Sequence, residues 1–156
     1  MISFIVGTNN RPEELKRFIA HLKDQTSQDY EIVVADEGDN DPQGHKHYKQ
    51  EYVGDWHYTV KNNAFSLATG DYLAFPQDDA VYYPEFVAEL QQGDLCICDW
   101  SGGKACATVC HVDVGGFTVK RELFTGFRSH GTADGEFVEN FKGDIILINK
   151  HLYDKR

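Results

Sequence analysis

The chain has 156 residues and a formal net charge of −10. Such a surface repels a nucleic-acid backbone, which disfavours general DNA or RNA binding, and the 41% hydrophobic and 13% aromatic content excludes a disordered chain. No stretch of about 18 apolar residues occurs, so no transmembrane helix is expected; the opening Met-Ile-Ser-Phe-Ile-Val is too short and lacks the basic flank of a signal peptide, so a cytoplasmic protein is expected.

Ile2 to Val6 reads as a short apolar strand followed by turn chemistry in Gly7-Thr8-Asn9-Asn10-Arg11. Pro12, Glu13 and Glu14 open a helix whose Leu15, Phe18, Ile19 and Leu22 form one apolar face. Tyr30 to Ala35 is a second strand, ending at Asp36-Glu37-Gly38-Asp39. Strand, helix, strand with short loops predicts a βαβ unit and parallel pairing. Residues 40–55 are polar and read as a loop with room for a short helix. Trp56 to Val60 is a third strand candidate, and Asn62 to Thr69 a helix stopped by Gly70.

Residues 71–84 carry the most information. The apolar run Tyr72-Leu73-Ala74-Phe75 ends abruptly in Asp78 and Asp79, and Pro84 then begins a helix to Leu90. This pattern predicts a buried strand that delivers carboxylates to its carboxyl end, where open α/β sheets place ligands. Adjacent carboxylates repel unless they hold a cation, and Mg²⁺ or Mn²⁺ usually accompanies phosphates. The alternative is a polar turn with two exposed acids.

Further on, Asp94 to Trp100 and Ala105 to Val114 read as paired strands across Ser101-Gly102-Gly103. Val119 to Phe124 and Asp134 to Phe141 read as short helices, and Ile145 to Ile148 as the last strand, with His151 just beyond it. Cys96, Cys98, Cys106 and Cys110 are expected to be reduced. Their spacing, with His111 following, admits a zinc site, but C-x-C is shorter than the usual zinc spacer, and packing of small buried thiols fits the strand pattern better.

With these elements placed, the chain resembles the family 2 nucleotide-sugar glycosyltransferases of the GT-A fold. Ile2-Ser-Phe-Ile-Val-Gly-Thr-Asn-Asn-Arg-Pro-Glu-Glu-Leu is similar to that family's first strand, turn and helix, and Glu31-Ile-Val-Val-Ala-Asp-Glu-Gly to its second strand with an acidic pair. Asn62-Asn-Ala-Phe-Ser-Leu-Ala-Thr-Gly resembles its N-x-G-x-x-x-A-x-G segment, and Gln77-Asp78-Asp79 falls on its D-x-D motif. Gly115-Gly116-Phe117 resembles its G-G-F turn, and Ala133-Asp134 falls where it often has Glu-Asp. Gln77 departs from the first motif Asp, Ala64 from a Gly, and Ala133 from a Glu. The resemblance implies an α/β GT-A domain over residues 1–156, with a mostly parallel central sheet flanked by helices. Its first half (1–90) would bind nucleotide-sugar and its second half (91–156) would carry acceptor and catalytic functions.

The resemblance also implies roles. The reaction would move a sugar from a nucleoside diphosphate, a UDP-sugar, to an acceptor hydroxyl with inversion at the anomeric carbon. Asp79 and His151 would hold Mn²⁺ or Mg²⁺. Asp36 would accept from the uracil ring, Thr8 and Asn9 would line the same pocket, and Asn62 and Asp78 would contact ribose or sugar. Arg11 would offset phosphate charge, and Gly115-Gly116 would let backbone approach the sugar or acceptor. Asp134 would be the base that takes the acceptor proton, with Glu136 as the alternative.

Each role has a plainer reading. Asp36 can belong to an ordinary acidic loop, Arg11 can be a solvated helix-start residue, and Gly115-Gly116 can be a simple turn. His151 can be an exposed residue near the terminus, and Asp134 can cap its helix. Trp56, Trp100, Tyr82 and Tyr83 can stack on a sugar but equally suit core or rim positions. Two other functions fit less of the pattern. A nucleotidyltransferase normally needs a more basic, glycine-rich loop after the first strand. A non-catalytic nucleotide-sugar-binding module would account for Gln77, Ala133 and the short acceptor region. So compact an enzyme can also complete its acceptor site with a second subunit.

Overall fold

The computed structural model describes residues 1–109 and 111–156. β1 (Ile2–Thr8) is buried along its whole length. Ile2, Phe4 and Val6 enter one core while Ile5 enters the other. A strand covered on both faces needs this near-continuous apolar sequence. β2 (Tyr30–Asp36) and β4 (Tyr72–Ala74) flank β1, both parallel to it. α1 (Pro12–Leu22) makes the first crossover. Its proline occupies the first turn, where no donor is needed, and it buries Leu15, Phe18, Ile19 and Leu22.

β3 (Lys46–Lys49) pairs in parallel with β2 at one edge of the sheet, in a stretch whose polarity predicts a loop with room for a short helix. The other half comprises β5 (Ala80–Tyr82), β6 (Leu95–Trp100), β7 (Phe117–Lys120) and β8 (Ile145–Lys155). The strands form one eight-stranded sheet in the order β3-β2-β1-β4-β7-β6-β8-β5. β7 runs antiparallel to β4 and β6, β8 parallel to β6, and β5 antiparallel to β8. The sheet is therefore mixed, and it curls. Tyr82 of β5 lies at the far edge in pairing order, yet its ring packs 5.2 Å from Phe4 of β1.

Two cores line the faces. Phe4, Phe18, Tyr82, Phe86 and Tyr153 anchor the one beneath α1 and α3 (Phe86–Glu89). Phe75, Phe117, Phe124, Phe127 and Val138 anchor the one beneath α2 (Tyr58–Ala64) and α4 (Ala133–Glu139). No helix among the described residues is long and apolar enough to cross a membrane.

Several elements differ from expectation. Trp56–Val60 is not a strand: Trp56 and His57 adopt left-handed backbone (φ 57° and 66°), and α2 begins at Tyr58. The helix expected from Asn62 thus starts earlier, and it tightens into a 3-10 turn at Phe65–Leu67. Ala105 to Val114 forms no strand among the described residues; β6 pairs instead with β7 and β8. Residues 117–120 are strand, with a 3-10 turn at Arg121–Leu123, where a helix over Val119–Phe124 was expected. Short apolar runs do not separate the two periods, and the vacancy between β4 and β6 decides for strand. β8 continues to Lys155, so His151 lies within it. Cys96 and Cys98 are buried core residues of β6, and burial pushes the Cys98 thiol up to about 12. Cys110, part of the four-cysteine zinc reading, lies outside the described residues.

Glu31 ties the β1–β2 pair to the turn before β4. Its carboxylate accepts from Ser3 Oγ, Lys46 Nζ and the backbone and hydroxyl of Thr69. Burial alone would raise its pKa, but these donors outweigh burial and hold it at about 2 against the usual 4.5. Because the folded value is depressed, the stabilisation is complete above the unfolded value and is lost as pH falls towards 2. Glu31→Gln should lower stability by about 1 kcal/mol at neutral pH. In urea titrations the difference from wild type should vanish as pH falls below the usual carboxylate range.

Candidate active site

β1, β2 and β4 run parallel, so their carboxyl ends open on one edge of the sheet. There the chain leaving β4 is pinned to β1. Gly7 N donates to Pro76 O (3.0 Å) and Asp78 N to Gly7 O (3.2 Å). Gly7 has a steric reason to be glycine: a Cβ there would sit 2.7 Å from His57 Cβ and 2.9 Å from Gln77 Oε1 and Lys61 Cε.

Asp78 is buried. Its Oδ2 accepts from Thr8 Oγ1 (2.7 Å), and Arg11 Nη1 lies 2.7 Å from Oδ1 as a close ion pair without hydrogen-bond alignment. Burial raises the pKa of Asp78, and Asp79 adds to the rise; Thr8 and Arg11 oppose it. Asp79 is half-buried, and its Oδ1 is shielded from solvent with no hydrogen-bond partner among the described residues. Its backbone carbonyl accepts from Arg156 N at the end of β8. Asp78 and Asp79 line a cavity of about 220 Å³ together with Glu14, Arg11, Arg17 and Arg156; Arg11 is paired with Asp78 and Arg17 with Glu14 (3.0 Å).

Across the end of β8 lies a second cavity, of about 290 Å³, lined by Trp56, Gln77, Asp113, Thr132, Asp134 and Lys155 among others. Asp134, in the first turn of α4, accepts from Gly135 N (2.8 Å). Burial raises its pKa, with Asp113 adding to the rise and the neighbouring Tyr58 hydroxyl opposing it. A carboxylate held above its usual range is a better proton acceptor near neutral pH.

The remaining expected residues are placed as follows. Asn9 is half-buried beside Thr8 at the end of β1, with its side chain accepting from Asn10. Asp36 is fully buried, and its oxygens hold the following loop through Gly38 N and the backbone and side chain of Asn40, with His47 Nε2 at 3.3 Å. It lines neither cavity. Asn62 exchanges two hydrogen bonds with the backbone of Phe127, which ties α2 to the segment before α4.

Gly115 is closely approached by the Tyr153 ring, which a Cβ would meet at 2.6 Å; Gly116 is less confined. Glu136 lines a different cavity from Asp134; its carboxylate lies against Arg128 and His130 and accepts from Thr132 Oγ1 (3.2 Å). His151 is not brought to Asp79. It is bound to Asp154 Oδ1 (2.6 Å) and packs on Tyr83, and the 79–83 stretch puts it ~13 Å further along the β5–β8 ladder. Among the described residues no group of three or more His, Cys, Asp or Glu side chains is arranged to hold a metal.

Three residues were not singled out from the sequence. Asp113 receives the Tyr153 hydroxyl (2.7 Å) and Gly115 N (3.0 Å), with Lys155 Nζ at 3.8 Å. Arg156 flanks Asp79. Lys61 is fully buried, donates to Phe75 O (2.8 Å), and sits close enough to Asp113, Asp134 and Asp79 to feel all three. Burial pushes its ammonium down to about 7, and the three carboxylates oppose that fall. A lysine in a short polar helix gives no sequence signal of this; only the packing of α2 across β1 and β2, which brings its amine to the Phe75 carbonyl, buries it.

Because the folded pKa of Lys61 lies below its usual 10.5, the unfolded chain binds more protons between about 7 and 10.5. Stability should therefore rise with pH across that window, relative to a variant lacking the amine. Lys61→Met should be more stable than wild type by ~1–3 kcal/mol at pH 6. Chemical denaturation at a series of pH values should show that gain shrinking towards pH 10.

Residues 3–93, more than half of the chain, match the family model described as glycosyl transferase family 2. No curated protein matches the chain in sequence. Among solved structures, the mannosyltransferase PcManGT from Pyrobaculum calidifontis in complex with GDP-Man and Mn²⁺ superposes with a TM-score of 0.76 at 16% identity, over 99% of this chain and 56% of that one. S. aureus TarS 1-349 in complex with UDP-GlcNAc gives 0.73 at 18% identity, over 99% and 58%. Glucosyl-3-phosphoglycerate synthase from Mycobacterium tuberculosis, with Mn²⁺, UDP and phosphoglyceric acid, gives 0.69 at 17% identity, over 100% and 70%. The chain spans about three fifths of the TarS 1-349 structure. At these identities the likeness establishes a shared GT-A fold, and the family model identifies the protein: the chain belongs to glycosyl transferase family 2.

Proposed function

We propose that the protein transfers a sugar from a UDP-sugar to an acceptor hydroxyl, with inversion and with the help of a divalent cation. The observation that carries this reading is the buried, unpartnered Oδ1 of Asp79, one short segment away from a cavity holding the raised-pKa carboxylate of Asp134. Similar solved structures in complex with UDP, UDP-GlcNAc, GDP-Man and Mn²⁺ support a nucleotide-sugar donor and a metal.

Asp79 fits a cation that brings most of its own ligands. Mg²⁺ and Mn²⁺ take oxygen donors, and Mg²⁺ is commonly held by one or two carboxylates plus substrate phosphates and water. A single orphaned carboxylate oxygen suits that arrangement. A cation held there by Asp79 would supply charge neutralisation for the departing diphosphate. Arg11 and Arg156 flank Asp79 and add positive charge on the same side. Asp78 is consumed by Thr8 and Arg11 and positions its neighbour. His151 carries no ligand role here, because Asp154 holds it elsewhere. The oxygens of Asp36 are already engaged, so a uracil N–H would share an acceptor with the loop. Asp134 takes the proton from the acceptor hydroxyl as it attacks, and Glu136, which faces another cavity, does not. A base placed opposite the leaving group gives inversion.

Asp79→Ala should abolish Mn²⁺-dependent UDP binding in calorimetry; unchanged affinity with and without Mn²⁺ would remove the metal site. Asp134→Asn should retain UDP binding but lose about 10²–10⁴-fold in turnover. Normal turnover in that variant would place the base elsewhere. A wild-type protein that binds UDP with Mn²⁺ but neither transfers nor hydrolyses any UDP-sugar would be a binding module instead.

A further inference from the structure

Gln77 stands where the metal motif of the family would have its first Asp, and the structure gives it another task. Its Nε2 donates to Trp56 O (2.8 Å), and its Oε1 lies 2.6 Å from His57 Nδ1. The other ring nitrogen of His57 faces Glu37 Oε2 at 3.6 Å. Gln77 therefore clamps two consecutive non-glycine residues in left-handed backbone, Trp56 (φ 57°) and His57 (φ 66°). Such positions are strained and persist only where the surroundings over-determine them. Asp55 secures the other side of the turn through Thr59 N (3.0 Å) and Ser129 Oγ (2.7 Å).

All this anchoring displays one side chain. The Trp56 indole is 62% exposed. It leans on the segment before α4, where a Cβ added to Gly131 would meet the ring at 3.4 Å, and it lines the same cavity as Asp134. An indole held in water beside the candidate base, at the cost of backbone strain, is poor packing and a good platform. Sugar rings present flat C–H faces to aromatic surfaces, and aromatic side chains with a few convergent polar groups are what ligand pockets use.

The charges of the cavity narrow the ligand class. Asp113 and Asp134 face into it, and its one described cation, Lys155, lies near Asp113. Such a lining repels an anionic acceptor and offers hydrogen bonds to hydroxyls.

We infer that the acceptor is an uncharged saccharide whose ring stacks on Trp56, on a platform held in place by Gln77. This rests on the glycosyltransferase reading and names the acceptor class for it. Gln77 thus trades a metal contact for a substrate-positioning one.

Saturation-transfer NMR can test it on the full chain with UDP, Mn²⁺ and a panel of methyl glycosides and neutral disaccharides, with glucose 6-phosphate as the anionic comparison. Wild type should saturate the ring protons of at least one neutral sugar and leave the phosphorylated sugar weaker. Trp56→Ala should lose that signal at least fivefold while Trp56→Phe retains it, and Gln77→Ala should weaken it. Trp56 is exposed, so its replacement leaves the core untouched.

No signal from any neutral glycoside, or an equal signal in Trp56→Ala, would overturn the inference. So would loss of uridine signal in Trp56→Ala with the glycoside signal intact, since the indole would then serve the base. Uridine protons in the same wild-type sample report the donor reading separately: saturated uridine without a glycoside signal sinks the acceptor inference alone, whereas unsaturated uridine sinks the donor reading.

Discussion

The site depends on how Asp78 is buried. Its carboxylate has left water, so it needs partners, and Thr8 Oγ1 at the end of β1 and Arg11 at the start of α1 provide them. Together with the backbone bonds of Gly7 to Pro76 and Asp78, this locks the chain after β4 onto β1. Asp79, next in sequence, keeps one oxygen shielded and unpaired among the described residues. Thr8 or Arg11 in a different place would free Asp78 to turn outward, and the geometry of Asp79 would go with it.

Around that lock the electrostatics are arranged by burial more than by net charge. The protein is acidic overall, yet Arg11, Arg17 and Arg156 gather on the side of Asp79 while Asp113 and Asp134 gather on the other. On the proposed reading the first side would meet the diphosphate and the second the uncharged acceptor. Lys61 lies beneath them, an ammonium weakened by desolvation in the midst of carboxylates. A buried charge of this kind costs stability, and residues that cost stability tend to be those a site requires.

Gln77 links the two sides. It lines the cavity of Asp134 while Asp78 and Asp79 line the other, and its amide reaches back to Trp56 and His57. Gly7 makes this possible, because only a residue without Cβ lets His57, Gln77 and Lys61 converge on one point of β1.

The first 36 residues and the strand at 72–74 are legible in the sequence, because strands buried on both faces and a helix with one apolar face leave strong periodic patterns. The order and spacing of Asn62, Gln77-Asp78-Asp79, Gly115-Gly116 and Asp134 likewise suffice to indicate the family. Residues 56–60 and 117–124 are not legible. An apolar run of four or five residues suits either element, and the choice falls to the neighbours: β4 and β6 leave a strand-wide gap that Phe117–Lys120 fills.

Side-chain roles are decided later still. Asp36 and Asn62 carry site-like chemistry, but the loop at 38–40 and the backbone of Phe127 claim their hydrogen bonds. Asp113, Lys61 and Arg156 acquire significance only when distant segments enclose them. Local sequence thus determines which elements can form and which chemical groups are on hand. Which groups keep a free valence facing a cavity is settled by tertiary packing, because desolvation and competition for hydrogen bonds are properties of the assembled surroundings and not of any residue alone.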